Sequence, residues 1–123
     1  METQKRQRII RALVQQVDSM LQRHYRQSLK EVVQDLTVRN ILRSPQPSDD
    51  QILKTIYETG VFRMSGSPKT AEMHSVLERF TQGTIGFCSR CGKPINVHRL
   101  EKNIAASLCS RCHNQAAGRK VPS

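Results

Sequence analysis

The sequence predicts a mainly α protein, in which an antiparallel helical hairpin (a coiled coil) precedes a small C-terminal module built around four cysteines. Three observations lead to this prediction. No proline or glycine occurs between Met1 and Arg43, and the apolar residues of that stretch recur at helical spacing. Pro45 and Pro47 follow, and each disfavours helix in the residue before it. All four cysteines lie in the last third of the chain, as two CxxC pairs.

The first arm of the hairpin is predicted as one helix over residues 3–43. Such a long helix needs a partner along its apolar face, because it cannot be buried by itself. The face is weakest around His24, Gln27 and Ser28, which marks a soft spot. Its apolar residues are Ile10, Leu13, Val17, Met20 or Leu21, Tyr25, Leu29, Val32 and Leu36.

The second arm is predicted over residues 48–82, with the tip of the hairpin near 44–51. Ser48 is suited to the N-cap of this arm, and Asp49 and Asp50 are acids suited to its first turn. These two carboxylates are therefore candidate tip acids, and capping a helix is the alternative role for them.

A break in the second arm is predicted near residues 60–68, where Gly60, Gly66 and Pro68 interrupt the helical pattern. The helix that follows ends at Gly83 and has an apolar face of Met73, Val76, Leu77 and Phe80. Chain reversal at the tip would place this face against Leu13, Val17, Met20 and Leu21, and would place Val32 and Leu36 against Ile52 and Ile56. The resulting organisation is a hairpin over 1–83, a cysteine module over 84–113 and a basic tail over 114–123.

The cysteine pairs, Cys88 with Cys91 and Cys109 with Cys112, are separated by 17 residues. Zinc sites use paired cysteines with gaps of about 15–20 residues, because two tight turns can close a tetrahedron of thiolates. The sequence therefore predicts one Zn²⁺ bound by all four cysteines. A complete set of thiolate ligands leaves no position for water or substrate, so the predicted role of the metal is structural and the chain is not expected to be an enzyme.

Three other interpretations of the cysteines remain open at this stage. They could form two disulfides, although a CxxC disulfide is strained and usually redox-active. The segment from Cys109 to His113 also fits the C-x-x-C-H pattern of haem attachment, which would leave the first pair without a role. Finally, His98 or His113 could replace one thiolate as a zinc ligand.

The charge is strongly positive, at +10, and it is unevenly distributed. Residues 1–43 carry nine Lys/Arg against four acids, residues 44–83 carry four against five, and residues 84–123 carry seven against one. A basic protein of this kind is expected to adhere to polyanions, including nucleic acid, without sequence specificity. The sequence shows neither a signal peptide nor a membrane-spanning stretch, which predicts a cytoplasmic protein with reduced thiols. The protein is also expected to be a monomer.

The run from Val76 to Cys112 resembles the DksA/TraR family of zinc-finger regulators of bacterial RNA polymerase. The resemblance covers about a third of the chain and rests on closely spaced positions. These positions are Gly83-Thr84-Ile85-Gly86-Phe87, Cys88, Cys91, Gly92, Pro94-Ile95, Arg99-Leu100, Ser107-Leu108-Cys109 and Cys112.

This resemblance implies a mechanism. Members of the family insert a helical hairpin into the secondary channel of RNA polymerase, with acidic residues at its tip near the active centre. They change initiation, often together with ppGpp, and do not need to recognise DNA specifically. Asp49 and Asp50 are the residues of this chain to which the tip role carries over, although they are adjacent here and separated in the family's best-known tip.

Two other functional classes are open. The first is a basic zinc module that binds nucleic-acid phosphates through Arg90, Lys93, Arg99, Lys102, Arg111, Arg119 and Lys120. The second is an adaptor that dimerises through its long helix. Salt dependence of binding separates the first class from polymerase binding, and sedimentation tests the second.

Overall fold

The computed structural model describes residues 3–63 and 67–116, and within them the chain forms six α-helices and no strand. The predicted mainly α class is confirmed. None of the described helices has both the length and the apolarity needed to cross a bilayer. The helices are α1 (Thr3–Tyr25), α2 (Leu29–Val38), α3 (Asp49–Thr59), α4 (Pro68–Gln82), α5 (Val97–Lys102) and α6 (Ser110–Ala116).

The first arm is divided into two helices, so the prediction of one helix over 3–43 is wrong. α1 ends at Tyr25, and Arg26 adopts the left-handed conformation with φ of 56°. The backbone N–H of Arg26 still donates to the carbonyl of Gln22 at 3.2 Å, so the last turn of α1 is closed before the chain leaves the helix. The break lies at the soft spot in the apolar face.

A new helix begins directly after the break because Ser28 caps it. The hydroxyl of Ser28 accepts from the backbone N–H of Glu31, and the Glu31 carboxylate accepts from the backbone N–H of Ser28. This capping box is a strong helix start signal. α2 ends at Val38 and is followed, after Arg39, by a left-handed residue, Asn40 (φ 62°), and the N–H of Ile41 donates to the carbonyl of Leu36 at 2.9 Å.

The second arm begins as predicted, with Ser48 as the N-cap of α3 and a capping box completed by Gln51. Asp49 and Asp50 occupy its first turn. α3 ends at Thr59 and is capped by Gly60, whose left-handed φ of 67° accounts for glycine at this position.

α3 packs against both α1 and α4, and an extended hairpin is not confirmed. A tip at 44–51 would place Asp50 far from the start of the first arm. Instead, Nη2 of Arg6 on α1 lies 2.9 Å from Oδ2 of Asp50. The same guanidinium lies over the ring of Phe80 on α4, 5.9 Å from its centroid. The start of α3 is therefore folded back onto the N-terminal part of α1.

The region of the predicted break, 60–68, is described only in part. Residues 60–63 and 67 belong to no helix, and residues 64–66 lie outside the described part of the chain. The hydroxyl of Tyr25 donates to the carbonyl of Val61 at 2.7 Å, which ties this connection to the end of α1. Likewise, the predicted tail over 114–123 begins inside α6, and its residues 117–123 are outside the described part.

One hydrophobic core includes both the helices and the cysteine module. α1 is its centre, since Leu13, Val17 and Leu21 are fully buried. Met20 lines one cleft of ≈ 210 Å³ together with residues of α4, but the predicted pairing of the α1 and α4 faces along a hairpin is not confirmed. The other buried members include Leu53, Ile56, Phe62, Met73, Val76, Leu77, Ile85, Ile95, Leu100, Ile104 and Ala106.

Candidate metal centre

The sulfur atoms of Cys88, Cys91, Cys109 and Cys112 all lie within 4.8 Å of one another. The Sγ atoms of Cys91 and Cys109 are separated by 3.7 Å. A tetrahedral thiolate site with metal–sulfur bonds of about 2.3 Å has sulfur–sulfur edges of about 3.8 Å. The four cysteines therefore fit a single metal ion, as their spacing predicts.

The first cysteine pair lies on a tight turn held by backbone hydrogen bonds. The N–H of Gly92 donates to the carbonyl of Cys88 at 2.9 Å, and the N–H of Cys88 donates to the carbonyl of Lys93 at 2.8 Å. Gly92 adopts a left-handed φ of 77°, which a side chain would disfavour. This turn directs both thiols of the pair toward the same point.

The second cysteine pair lies at the start of a helix, whereas the first lies on a turn. Cys109 directly precedes α6, Cys112 lies within it, and the N–H of His113 donates to the carbonyl of Cys109 at 2.8 Å. The N–H of Ser89 donates to the carbonyl of Ser107 at 2.8 Å, which joins the two halves of the site. Backbone hydrogen bonds therefore hold the two cysteine pairs close together, so that their four sulfur atoms can surround one metal ion.

Arginines from the helical body fix the module in place. Arg8 on α1 donates through Nε and Nη2 to the two carboxylate oxygens of Glu101 on α5, and this guanidinium lowers the pKa of Glu101. On α4, Nη2 of Arg79 donates to the carbonyl of Ala105 at 3.2 Å, and Nη1 lies 3.5 Å from the carbonyl of Ala106. Sequence reasoning missed these contacts, because residues far apart in the chain give no local signal.

The thiols differ in proton affinity. The backbone N–H of Cys109 favours the thiolate of Cys88 and lowers its pKa from 9.0 to about 6. The backbone N–H of Cys112 lowers the pKa of Cys109. Hydrogen bonding to the side chain of Cys109, together with burial, raises the pKa of Cys112 to about 12. Neighbouring thiolates repel one another, so a cation is needed before all four can ionise.

Neither histidine considered in the sequence joins the cysteine cluster. Nδ1 of His98 lies 3.8 Å from the carboxylate of Glu101, and the His98 side chain is largely exposed. The sulfur separation of 3.7 Å between Cys91 and Cys109 is also far longer than a disulfide bond of about 2.05 Å. The geometry thus favours four thiol ligands over the histidine and disulfide alternatives.

A basic cleft of ≈ 640 Å³ adjoins the cysteines. Arg90, Lys93 and Arg111 line it, and no carboxylate is among the described residues of its wall. All three are exposed. The cleft can therefore accommodate an anion beside the metal centre.

The candidate tip acids lie elsewhere, in a cleft of ≈ 680 Å³ between α1 and the start of α3. Asp50 is paired with Arg6, and Asp49 is exposed in the first turn of α3. Both carboxylates interact favourably with the positive N-terminal end of the α3 helix dipole. In this conformation they are the acids of the first helical turn, directly after the Ser48 cap.

Comparisons of the chain with family models, curated proteins and solved structures found no match.

Proposed function

We propose that the metal is Zn²⁺ and that it stabilises the fold without catalysing a reaction. Four soft thiolates in tetrahedral arrangement suit zinc, and they leave no coordination position for a substrate. Elemental analysis of freshly purified, reduced protein should find one zinc per chain. Replacing Cys112, which is buried, with serine should abolish stoichiometric zinc, whereas Ser110→Ala on the exposed side of α6 should retain it.

The function we propose is regulation of bacterial transcription initiation, through binding to RNA polymerase at its secondary channel. The observation that carries it is the cysteine cluster: the four residues that match the DksA/TraR pattern lie together in space as a zinc module requires. On this proposal the protein acts in the cytoplasm, with ppGpp as a candidate co-effector at the polymerase interface. It needs no specific recognition of DNA.

The proposal requires the acids of α3 to reach the polymerase active centre, where a carboxylate can perturb the catalytic metal. The Arg6–Asp50 ion pair is about half exposed, so breaking it costs only about 0–1 kcal/mol. Leu53 and Ile56 are fully buried, and exposing both costs roughly 3–6 kcal/mol. Contacts with polymerase must therefore supply the energy that separates α3 from α1.

The decisive experiment measures binding to core RNA polymerase and the effect on initiation. Asp49→Asn/Asp50→Asn should keep most of the affinity but weaken the transcriptional effect. Arg6→Gln is the matched control, because it breaks the same ion pair and keeps both carboxylates. If both variants lose the transcriptional effect equally, Asp49 and Asp50 have only a structural role. If the wild-type protein does not bind core RNA polymerase at physiological salt, the proposed function is wrong.

The basic cleft favours a second candidate function, binding of nucleic-acid phosphates. Three cations on one wall without a carboxylate are a suitable surface for a sugar–phosphate backbone. If this function operates, affinity for single- or double-stranded DNA or RNA should fall steeply with salt. Neutralising Arg90, Lys93 and Arg111 with glutamine should reduce the salt dependence, whereas the same change at the exposed cations Arg23, Lys30 and Lys54 should leave it nearly unchanged.

A further inference from the structure

The basic cleft beside the cysteines is formed by two short segments of the cysteine module. The turn of the first cysteine pair and the residues just after it contribute Arg90, Lys93 and Asn96, and α6 contributes Arg111 and Gln115. The backbone bonds that hold the two cysteine pairs together also fix these two segments relative to each other. The backbone positions that carry the cleft are therefore set before any ligand binds.

The cations of the basic cleft have no internal counter-charge. None of the ion pairs in the described part of the chain involves Arg90, Lys93 or Arg111. Zn²⁺ bound by four thiolates carries a net charge of about −2, so the three cations leave the loaded cleft at about +1. The cleft therefore still attracts an anion after the charge of the metal site has been offset.

Two side-chain amides line the same cleft. Oδ1 of Asn96 accepts from the backbone N–H of His98 at 2.8 Å, and the Asn96 amino group has no hydrogen-bond partner within the described residues. The amide of Gln115 is exposed and also lacks a partner there. Asparagine and glutamine amides pair with the edges of bases, and the Watson–Crick edge is accessible only in an unpaired strand. Free amides beside the cations therefore favour a nucleotide whose base is unpaired.

The shape of the cleft favours the same ligand. Its volume of ≈ 640 Å³ lies in the range of sites that enclose a small molecule, so one nucleotide can enter it. A duplex presents its phosphates on a convex outer surface and would contact the rim alone. No aromatic ring is among the described residues of the wall, but the guanidinium planes of Arg90 and Arg111 can stack on a base.

We propose that the basic cleft binds an unpaired nucleotide of a single nucleic-acid strand. Successive phosphates of the strand contact Arg90, Lys93 and Arg111, and the amides of Asn96 and Gln115 contact the base. This inference rests on the second candidate function, binding of nucleic-acid phosphates, and adds that the bound strand is single.

The first test compares probes by fluorescence anisotropy with the full-length, zinc-loaded protein. The probes are single strands of about 10 nucleotides, as DNA and as RNA, and the duplexes of the same length. A single strand should bind at least about tenfold more tightly than its duplex, because contacts with the base add to the phosphate contacts. A nucleoside monophosphate should compete at least about a hundredfold less well than the strand, since it offers one phosphate to three cations.

Two variants separate the roles of the cations and the amides. Arg111→Gln should reduce the slope of log affinity against log salt concentration by about 0.7, the value for one phosphate contact in a single strand. Gln115→Ala should weaken single-strand binding about three- to tenfold and leave the slope unchanged, because it removes an uncharged hydrogen-bonding group. Gln34→Ala, at an exposed glutamine of α2, is the matched control and should bind like the wild type.

Each variant is first checked for one zinc per chain, so that lost binding does not report a lost metal. Duplex binding as tight as single-strand binding, or equal competition by the monophosphate, would overturn this inference and leave the second candidate function in place. Unchanged single-strand binding in both Arg111→Gln and Gln115→Ala would also overturn it, because the strand would then lie elsewhere. If no probe binds even at low salt, the second candidate function is itself wrong.

Discussion

The carboxylate of Asp18 on α1 accepts a hydrogen bond from the backbone N–H of Leu29, the first residue of α2, at 2.8 Å. This bond satisfies an amide that has no partner within α2 and places a negative charge at the positive end of the helix. Asp18 thereby helps to fix the division of the first arm into two helices. It also sets the direction in which α2 leaves α1.

Replacing Asp18 with alanine should destabilise the protein by about 1–2 kcal/mol, because a partly buried amide loses a charged acceptor. The midpoint of urea unfolding provides the measurement. Asp18 also accepts from the side chain of Gln22, at 3.0 Å in an exposed position. Gln22→Ala removes only that bond and should cost less than about 0.5 kcal/mol. Equal effects of the two changes would show that the contact with Leu29 contributes nothing.

Arg26→Gly should stabilise the protein by about 0.5–1 kcal/mol, since glycine adopts the left-handed conformation without the penalty that arginine has there. In a continuous helix the same change would destabilise by about 1 kcal/mol. The sign of the change in unfolding free energy therefore distinguishes a divided first arm from an uninterrupted one. Gln15→Gly, at an exposed position inside α1, is the control and should destabilise.

Zinc binding should release more protons at lower pH. The pKa of Cys88 is lowered to about 6, so its thiolate is present at pH 7.5 and is lost as the pH falls through 6. The pKa of Cys112 is raised to about 12, so this thiol must give up its proton to the solvent at either pH. The number of protons released per zinc should therefore be larger at pH 5.5 than at pH 7.5.

Calorimetric titrations in buffers of different ionisation enthalpy measure this proton release directly. A proton count that is the same at both pH values would contradict the assignment of Cys88 as the acidic thiol. A calcium titration serves as the control, because a site of four thiolates has little affinity for that ion and should release no protons.

Arg79→Lys should lower stability by about 1–2 kcal/mol although it keeps the charge. An ammonium group cannot bridge the carbonyls of Ala105 and Ala106 as the planar guanidinium does. Burial lowers the pKa of Arg79, because its guanidinium is partly removed from water. Thermal unfolding and the rate of zinc loss to a chelator should both report the change, whereas Arg11→Lys, at an exposed arginine of α1, should be neutral.

The sequence predicted the cysteine cluster and the start of α3 because both depend on short-range chemistry. A CxxC turn and a Ser48 cap are complete within a few residues, so their spacing carries the information. The break after α1 lacks glycine or proline, and it is set in part by Asp18, eleven positions before Leu29. The capping box from Ser28 to Glu31 was the available signal for it.

The position of α3 could not be predicted in the same way. Periodicity identifies the apolar face of a helix but does not say which other helix covers that face. The Arg6–Asp50 pair joins residues 44 positions apart, and nothing in either local sequence specifies that contact. For the same reason the sequence alone does not specify where the second arm packs against α1.

The link between Arg8 and Glu101 spans 93 positions, about three quarters of the chain. α1 is synthesised well before Leu100 and Ile104, which belong to the same core. The apolar face of α1 is therefore synthesised before the residues that pack on it in the finished fold. The second pair of metal ligands, Cys109 and Cys112, follows those residues in the sequence. Completion of this fold consequently depends on the formation of long-range contacts and on the supply of metal.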